Sequence, residues 1–297
     1  KISNTLGAIY SYLKDYDKAI EYFNKAIEIN PKYANAYNNL ALIFFNKKNF
    51  DKAALYFDKA RKFDLDSFTD YYKLAVSYYS KKYYYEAIEH FNKVIERNPN
   101  SYKTYNFIGL CYSSNEEYDK SIEYFKKAIE INDMYYKAYN NLANAYLNLK
   151  DYDEAIKYFK SSIEINDNDE AYYGIAISYY NKGEKKTAAY YLNKNIDNIN
   201  ENYIDMLFNI YIDLEDYDKA FVCVRKNNKY YDKLINILYD KKEYLKIVTL
   251  FEENNNAVNN NEIIANSYFY TKNYDKAIEY YKKLLETNKD NFIYYNN

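Results

Sequence analysis

The sequence predicts an all-α protein made of stacked helix pairs, and three observations support that prediction. The phrase "DYDKAIEYFNKAIEIN", residues 15–30, returns in close variants that begin at residues 117, 151 and 273. Only 4 Gly and 2 Pro occur in 297 residues, so helix breakers are scarce. Apolar residues recur at intervals of three and four, which is the period of an amphipathic helix. These features favour a helical repeat protein over a single chemical centre.

Equivalent positions of the repeated phrase mark out nine units. They fall at residues 15, 49, 83, 117, 151, 184, 216, 243 and 273. The successive spacings are 34, 34, 34, 34, 33, 32, 27 and 30 residues. We therefore expect a single array over residues 1–297. Its predicted parts are regular repeats over about 1–168, degenerate and shortened repeats over about 169–257, a regular final repeat over 258–291, and the start of a tenth repeat at 292–297.

Each unit carries two apolar stripes at helical spacing. One stripe, within residues 34–46, consists of Tyr37, Leu40, Ala41 and Phe44. The other, within residues 17–29, consists of Ala19, Ile20, Phe23, Ala26 and Ile27. A unit is thus predicted to be a first and a second amphipathic helix joined by a polar turn. Neither helix can bury its stripe alone, so neighbouring pairs must stack into a continuous core.

The helix breakers and small residues follow the same period. Pro31 and Pro99 are two periods apart, and each follows a predicted second helix. Gly7 and Gly109 are three periods apart in predicted first helices. The same position in other units holds a second small residue type: Ala41, Ala75, Ala143, Ala176 and Ala265. Small residues there let the two helices of a pair approach closely, with alanines such as Ala19 expected opposite.

The regular pattern weakens in the later units. Ile235 and Ile247 occupy the two small-residue places of the eighth unit. A spacing of only 27 residues removes about two helical turns, at 3.6 residues per turn. We therefore expect shorter helices between about 201 and 257 and a local change of curvature.

These positions give the chain a resemblance to the tetratricopeptide repeat. In the second unit the matching residues are Tyr37, Leu40, Ala41, Phe44, Phe50, Ala53, Phe57 and Ala60. In the fourth unit they are Tyr105, Ile108, Gly109, Tyr112, Tyr118, Ser121, Phe125 and Ala128. Leu65 and Asp133 stand where the family usually has Pro. The resemblance implies a right-handed α-α superhelix of antiparallel helix pairs whose first helices line a concave groove.

Composition excludes several classes of function. The 41 basic and 43 acidic residues give a formal net charge of −2, so nothing indicates a nucleic-acid partner. No apolar run reaches the length of a membrane span. Asp15 and Asp17 recur in the turns as helix starts rather than as an acid-base pair. The location of the protein stays open.

No motif in the sequence predicts an enzyme, a cofactor or a metal site. The chain has one histidine, His90, which we expect on the outer surface of a second helix. One histidine without a cysteine cluster cannot supply a zinc site, and no glycine-rich phosphate loop occurs. Cys111 and Cys223 are expected to be reduced thiols that pack between helices.

The resemblance places a candidate peptide-binding groove on the first helices. An asparagine amide offers both a donor and an acceptor, so a ladder of asparagines can pair with the backbone of an extended peptide. Lysines would add positive charge, and tyrosines would add flat apolar surface with a polar tip. The predicted groove residues are Asn38, Asn39, Tyr79, Lys103, Asn106, Lys137, Asn140, Asn141, Asn144, Tyr180, Asn209, Asn236 and Asn266.

The sequence therefore predicts a non-enzymatic scaffold that holds an extended peptide or helix of a protein partner. The alternative is that the chain is the regulatory or substrate-recruiting arm of a larger enzyme that lies outside it. No polar capping helix closes either end, so we expect a fragment of a longer protein. The uncapped ends are also a route to self-association.

Overall fold

The computed structural model describes residues 1–63, 68–194, 201–253 and 260–287. Within these ranges every regular element is a helix, as the sequence predicts. The chain divides into two compact units, unit 1 over Lys1–Lys182 and unit 2 over Gly183–Asn297. That division does not test the single array over residues 1–297, which stays a prediction.

Unit 1 contains five complete helix pairs and the first helix of a sixth. Its helices are α1 (Ile2–Tyr12), α2 (Tyr16–Ile29), α3 (Ala34–Asn46), α4 (Phe50–Lys62), α5 (Phe68–Ser80), α6 (Tyr84–Arg97), α7 (Tyr102–Ser114), α8 (Tyr118–Ile131), α9 (Tyr136–Asn148), α10 (Tyr152–Ile165) and α11 (Asp169–Asn181).

Unit 2 continues the alternation with shorter elements. Its helices are α12 (Lys185–Asn193), α13 (Glu201–Asp213), α14 (Tyr217–Lys226), α15 (Tyr231–Asp240), α16 (Tyr244–Glu253), α17 (Asn261–Tyr270) and α18 (Tyr274–Thr287), with a 3-10 turn at Asn228–Tyr230. The predicted tenth repeat at 292–297 lies outside the described residues.

The predicted shortening is correct for α14, α15 and α16, which have 10 residues each. It is wrong for α13, which keeps 13 residues, and it missed the 9 residues of α12 and the 10 of α17.

The repeated phrase is confirmed as a turn followed by a second helix. Asp15, Asp151 and Asp216 each cap a second helix, since the carboxylate accepts a backbone N–H bond three residues later. These bonds satisfy donors that the first helical turn leaves open. The three aspartates at these positions are therefore helix caps.

A left-handed residue ends every first helix and precedes the cap of the second. A residue with positive φ reverses the chain direction there and lets the helices run antiparallel. The series is Lys14, Lys48, Lys82, Glu116, Lys150, Gly183, Glu215, Lys242 and Lys272. Only Gly183 adopts this conformation without the steric cost of a Cβ atom.

Phenylalanine rings of the second helices fill the space beside the small residues of the first helices. A Cβ atom added at Gly7 would lie 2.6 Å from Cε1 of Phe23, and one at Gly109 would lie 2.5 Å from Cε1 of Phe125. Both rings are fully buried. The small residues therefore admit an aromatic ring, and the alanine expected opposite is only part of the contact.

A second aromatic contact repeats through unit 1 with the 34-residue period. It stacks a first-helix ring on a ring of the following second helix, with centroids 5.3 to 5.6 Å apart. The five ring pairs are Tyr10 with Tyr22, Phe44 with Tyr56, Tyr78 with His90, Tyr112 with Tyr124 and Tyr146 with Tyr158. His90 thus takes the place of a tyrosine.

The predicted surface position of His90 is wrong. The side chain is only 4% exposed, and its Nδ1 has no hydrogen-bond partner among the described residues. The hydroxyl of the stacked Tyr78 donates to Oδ2 of Asp58 at 2.6 Å. Burial, followed by the charge of Arg61, lowers the pKa of His90 below its usual value of 6.5. The sequence placed His90 outside because its neighbours Glu86 and Glu89 are polar.

The two cysteines have the packing role that the sequence predicts. Cys111 in α7 and Cys223 in α14 are both buried free thiols. Burial raises the pKa of each thiol to about 12, so the reactive thiolate is disfavoured.

We expect Gly183→Ala to destabilise the protein by about 1 kcal/mol, because an L side chain is disfavoured in the left-handed region. The φ of Gly183 is 83°, and an added Cβ would meet no atom within 4 Å, so the cost comes from the backbone alone. The matched change Lys150→Gly, at a φ of 63°, should stabilise by a few tenths of a kcal/mol, because glycine relieves the strain but loosens the unfolded chain. Urea unfolding followed by circular dichroism measures both. Equal effects of the two changes would contradict this explanation.

We expect the stability of unit 1 to fall as the pH drops from 7.5 to 5.5. Because the fold lowers the pKa of His90, the neutral form stabilises the protein above the unfolded pKa of about 6.5, and this contribution is lost as the pH falls. His90→Tyr, which restores the residue of the neighbouring repeats, should flatten the pH dependence in this window. Urea midpoints at each pH test this. An unchanged slope in the variant would show that His90 is not the responsible group.

Candidate functional site

The first helices of unit 1 form a continuous row. Helix α1 contacts α3, α3 contacts α5, α7 contacts α9, and α9 contacts α11. We call the solvent-facing side chains of these helices the first-helix surface. Ten of the thirteen predicted groove residues lie on helices of this row, and Asn209, Asn236 and Asn266 belong to unit 2.

Asparagine pairs join successive first helices. Nδ2 of Asn39 donates to Oδ1 of Asn4 at 3.1 Å, and Nδ2 of Asn141 donates to Oδ1 of Asn106 at 2.8 Å. The partners are 35 residues apart in both pairs. Tyr72 of α5 and Phe107 of α7 have the same separation in the sequence. Their rings pack edge to face, with centroids 5.9 Å apart. The same position therefore joins neighbouring repeats, either by a hydrogen bond between two asparagine side chains or by an aromatic contact.

The contact between α9 and the next first helix, α11, uses different side chains. Gly174 of α11 has no side chain to meet Asn140, so Nδ2 of Asn140 donates to Oδ1 of Asn168 at 2.9 Å and to Oε2 of Glu170 at 3.1 Å. Nδ2 of Asn144 donates to Oε1 of Glu170 at 3.4 Å. Glu170 therefore fixes two of the predicted groove asparagines.

Asn168 and Glu170 are not among the groove residues predicted from the sequence. A signal for Glu170 is present in the repeat alignment. It is the second residue of α11, where α7 and α9 have Lys103 and Lys137. A change of charge sign at this position marks the joint after α9.

The prediction that Asn106 and Asn140 line an open groove is wrong. Their side chains are 3% and 1% exposed, because each amide is covered by the next repeat. They hold neighbouring helices together instead. Asn38, Asn39, Asn141 and Asn144 are half-buried, and Oδ1 of Asn38 is buried without a hydrogen-bond partner among the described residues.

Two lysines stand out on the first-helix surface because they are unpaired. Lys103 and Lys137 are exposed, and neither forms an ion pair within the part of the chain that the structure describes. Lysines at the turns differ, since Lys47 pairs with Asp17 at 3.5 Å and Lys182 pairs with Asp153 at 2.6 Å. The unpaired ammonium groups give this surface local positive charge.

The two predicted groove tyrosines are half-buried. The ring of Tyr79 in α5 packs edge to face against Phe107, 5.7 Å between centroids, and burial raises its pKa. Tyr180 lies near the end of α11. The Tyr79 ring therefore joins α5 to α7.

The three groove residues of unit 2 have separate environments. Oδ1 of Asn209 accepts from Nζ of Lys233 at 3.1 Å. Nδ2 of Asn266 donates to the hydroxyl of Tyr239 at 2.8 Å, and its Oδ1 accepts from Tyr281. Asn236 is exposed.

No group of three or more His, Cys, Asp or Glu side chains suited to a metal ion occurs among the described residues. None of the helices described above is long and apolar enough to span a membrane.

The fold and the inter-repeat joints define a helical-repeat protein, and comparisons with known families agree. Models described as tetratricopeptide repeat match residues 1–33, 22–54, 136–169, 170–198 and 262–291. The chain belongs to the tetratricopeptide-repeat family and contains about nine repeats. A model described as regulator of microtubule dynamics protein 1-3 matches residues 73–136. No curated protein sequence matches the chain.

Solved structures of repeat proteins are similar to this chain. A crystal structure of MamA protein has 27% sequence identity to this chain and a TM-score of 0.53. The match covers 55% of this chain and 90% of the MamA chain. A tetratricopeptide repeat protein from Parabacteroides merdae has 18% sequence identity to this chain and a TM-score of 0.60. The match covers 84% of this chain and 96% of the other chain. Proteins with this fold are typically interaction scaffolds, bind protein partners and are generally non-catalytic.

We expect Asn141→Ala to destabilise unit 1 by about 1 to 2 kcal/mol, because it leaves the buried Oδ1 of Asn106 without a donor. Asn39→Ala is the matched control and should cost less, since its partner Asn4 is only half-buried and can bond water. Urea unfolding measures both variants, and the further variants Asn106→Ala and Asn106→Ala/Asn141→Ala complete the cycle that gives the coupling energy of the Asn106–Asn141 pair. A coupling energy near zero would show that the hydrogen bond between Asn141 and Asn106 does not stabilise the contact between α7 and α9.

Proposed function

We propose that this chain is a non-enzymatic scaffold that binds an extended peptide on the first-helix surface of unit 1, over α7 and α9. The observation that carries the proposal is a stripe along α9. Lys137, Asn141 and Asn144 are spaced four and three residues apart, so they lie on one face of the helix. Lys103 occupies the same position in α7 as Lys137 in α9.

The amides of this stripe are held in place before any ligand arrives. Asn141 is tied to Asn106, and Asn144 is tied to Glu170. Each of these bonds uses the Nδ2 group, so the Oδ1 atoms stay available to accept backbone N–H groups of a peptide. A surface fixed in this way loses little conformational entropy on binding.

The charge distribution favours a peptide that carries carboxylates. Helix α3 has no charged residue, and α9 has only Lys137, whereas α2 alone has five charged residues. The only charged side chains of α7 and α9 are Lys103 and Lys137. This part of the first-helix surface can bind backbone groups through its amides and attract acidic side chains through its ammonium groups.

The test is a peptide library screened against the full chain, followed by fluorescence polarisation with the selected peptides. We expect acidic sequences to be enriched. Lys103→Ala/Lys137→Ala should weaken their binding about five-fold or more, because each exposed charge pair contributes up to about 1 kcal/mol. Asn144→Ala should weaken binding without changing the preference for acidic peptides.

The matched control is Lys62→Ala/Lys160→Ala, which removes two exposed lysines from second helices. This variant should bind as the parent chain does. If both double variants lost the same peptide affinity, the effect would be due to the overall charge of the protein. If Lys103→Ala/Lys137→Ala left the affinity unchanged, the peptide would bind elsewhere.

A further inference from the structure

One position of the first-helix surface changes its charge sign at α11. This position is the second residue of α7, α9 and α11, where it holds Lys103, Lys137 and Glu170. Over the nine units of the sequence it holds Lys1, Asn35, Thr69, Lys103, Lys137, Glu170, Asn202, Lys229 and Asn259. Glu170 is therefore the only acidic residue of this series, and it directly follows two lysines.

The carboxylate of Glu170 is held against α9 by two amides. Its Oε2 accepts from Nδ2 of Asn140 at 3.1 Å, and its Oε1 accepts from Nδ2 of Asn144 at 3.4 Å. The side chain is exposed, and it forms no ion pair with any residue that the structure describes. Each carboxylate oxygen can accept a second bond. Glu170 therefore offers a fixed negative charge that no cation of the described chain neutralises.

The start of α11 does not account for the position of Glu170. An acidic residue in a first turn stabilises a helix through its dipole, but α1, α3, α7 and α9 have none there. The side chain of Asn168 caps α11, since its Oδ1 accepts from the backbone N–H of Ala171 at 3.0 Å. The other acidic residue of this turn, Asp169, lies about 100° further round the helix axis.

The remaining positions of the same stripe also change between α9 and α11. Where α9 has the amides of Asn141 and Asn144, α11 has Gly174 and Ile177. Gly174 and Ile177 supply neither a side-chain hydrogen bond nor a charge. The part of the surface suited to acidic groups thus ends at α9, and the carboxylate of Glu170 is the polar group that α11 adds to the stripe.

We propose that the peptide bound on the first-helix surface carries two acidic residues and, at the same spacing, one basic residue that pairs with Glu170. This inference rests on the proposed peptide binding and defines the ligand more narrowly. Packed helix axes lie about 8 to 10 Å apart, and an extended chain advances about 3.3 Å per residue. About three peptide residues therefore span one helix, which places the charged residues at the first, fourth and seventh positions.

The order of charges fixes the register of the peptide. A peptide displaced by one helix would bring its basic residue against Lys137 or an acidic residue against Glu170. Contacts between like charges suppress binding of wrong partners and wrong registers. A surface of two lysines followed by one glutamate therefore selects for charge order as well as for net charge.

The test is fluorescence polarisation of the full chain with labelled peptides of seven residues. The matched peptide has the order acidic, acidic, basic, and the scrambled peptide has the same composition in the order acidic, basic, acidic. Both are made in the two chain directions, because side-chain charges alone do not set the direction. We expect the better-binding direction of the matched peptide to bind about three-fold or more tightly than either form of the scrambled one.

Variants of Glu170 assign this preference to its charge. Glu170→Gln keeps the shape of the side chain and an acceptor oxygen, so it should bind the matched and scrambled peptides equally. Glu170→Lys extends the two lysines and should prefer a peptide with three acidic residues. The matched control is Glu164→Gln, at an exposed glutamate of the second helix α10, which should keep the preference of the parent chain. Circular dichroism should show that all three variants fold.

A third peptide, with glutamine in place of the basic residue, separates this inference from the proposed function. If it binds and Lys103→Ala/Lys137→Ala weakens it, but the matched and scrambled peptides bind equally, the surface binds acidic peptides and the contact with Glu170 is wrong. A preference that persists in Glu170→Gln overturns the contact in the same way. If no acidic peptide binds the parent chain, both proposals fail.

Discussion

The packing of a second-helix phenylalanine against the backbone of its first helix sets the distance between the helices of a pair. At Gly7 and Gly109 the ring lies so close that a single added carbon would collide with it. Because the buried ring and the small residue must face each other, the rotation of both helices about their axes is fixed. Packing of this density tolerates little change in volume, so the same residue types return in every regular repeat.

That fixed rotation decides what the other faces of the helices do. It places a first-helix ring on a second-helix ring in each pair of unit 1, and His90 enters the core because it occupies one of these stacked positions. It also aligns Asn141 with Asn106 and Asn39 with Asn4, so the amides join repeats instead of pointing freely into solvent. A buried amide without its partner would cost stability, and the pairing is therefore part of the fold. The side chains that remain exposed beside these contacts include Lys103 and Lys137, on which the proposed peptide binding depends.

Much of the fold could be predicted because packing repeats itself in the sequence. The period, the alternation of first and second helices and the capping by Asp15 and Asp151 follow from residue spacing, and the burial of both cysteines follows from the usual preference of this residue type. The site was harder to predict. Periodic asparagines fit an exposed ladder and a set of inter-repeat bonds equally well, since both require one amide per repeat. Glu170 was missed because its role depends on Gly174, which offers Asn140 no side chain at the position where other repeats have one.

The sequence by itself determined that this protein is an array of helix pairs, because each apolar stripe needs a neighbour and the stripes return every 34 residues in the regular part. Only the tertiary structure decided which polar side chains remain available. Burial of Asn106, Asn140 and His90 depends on the next helix in space, and residue spacing alone does not contain that distance.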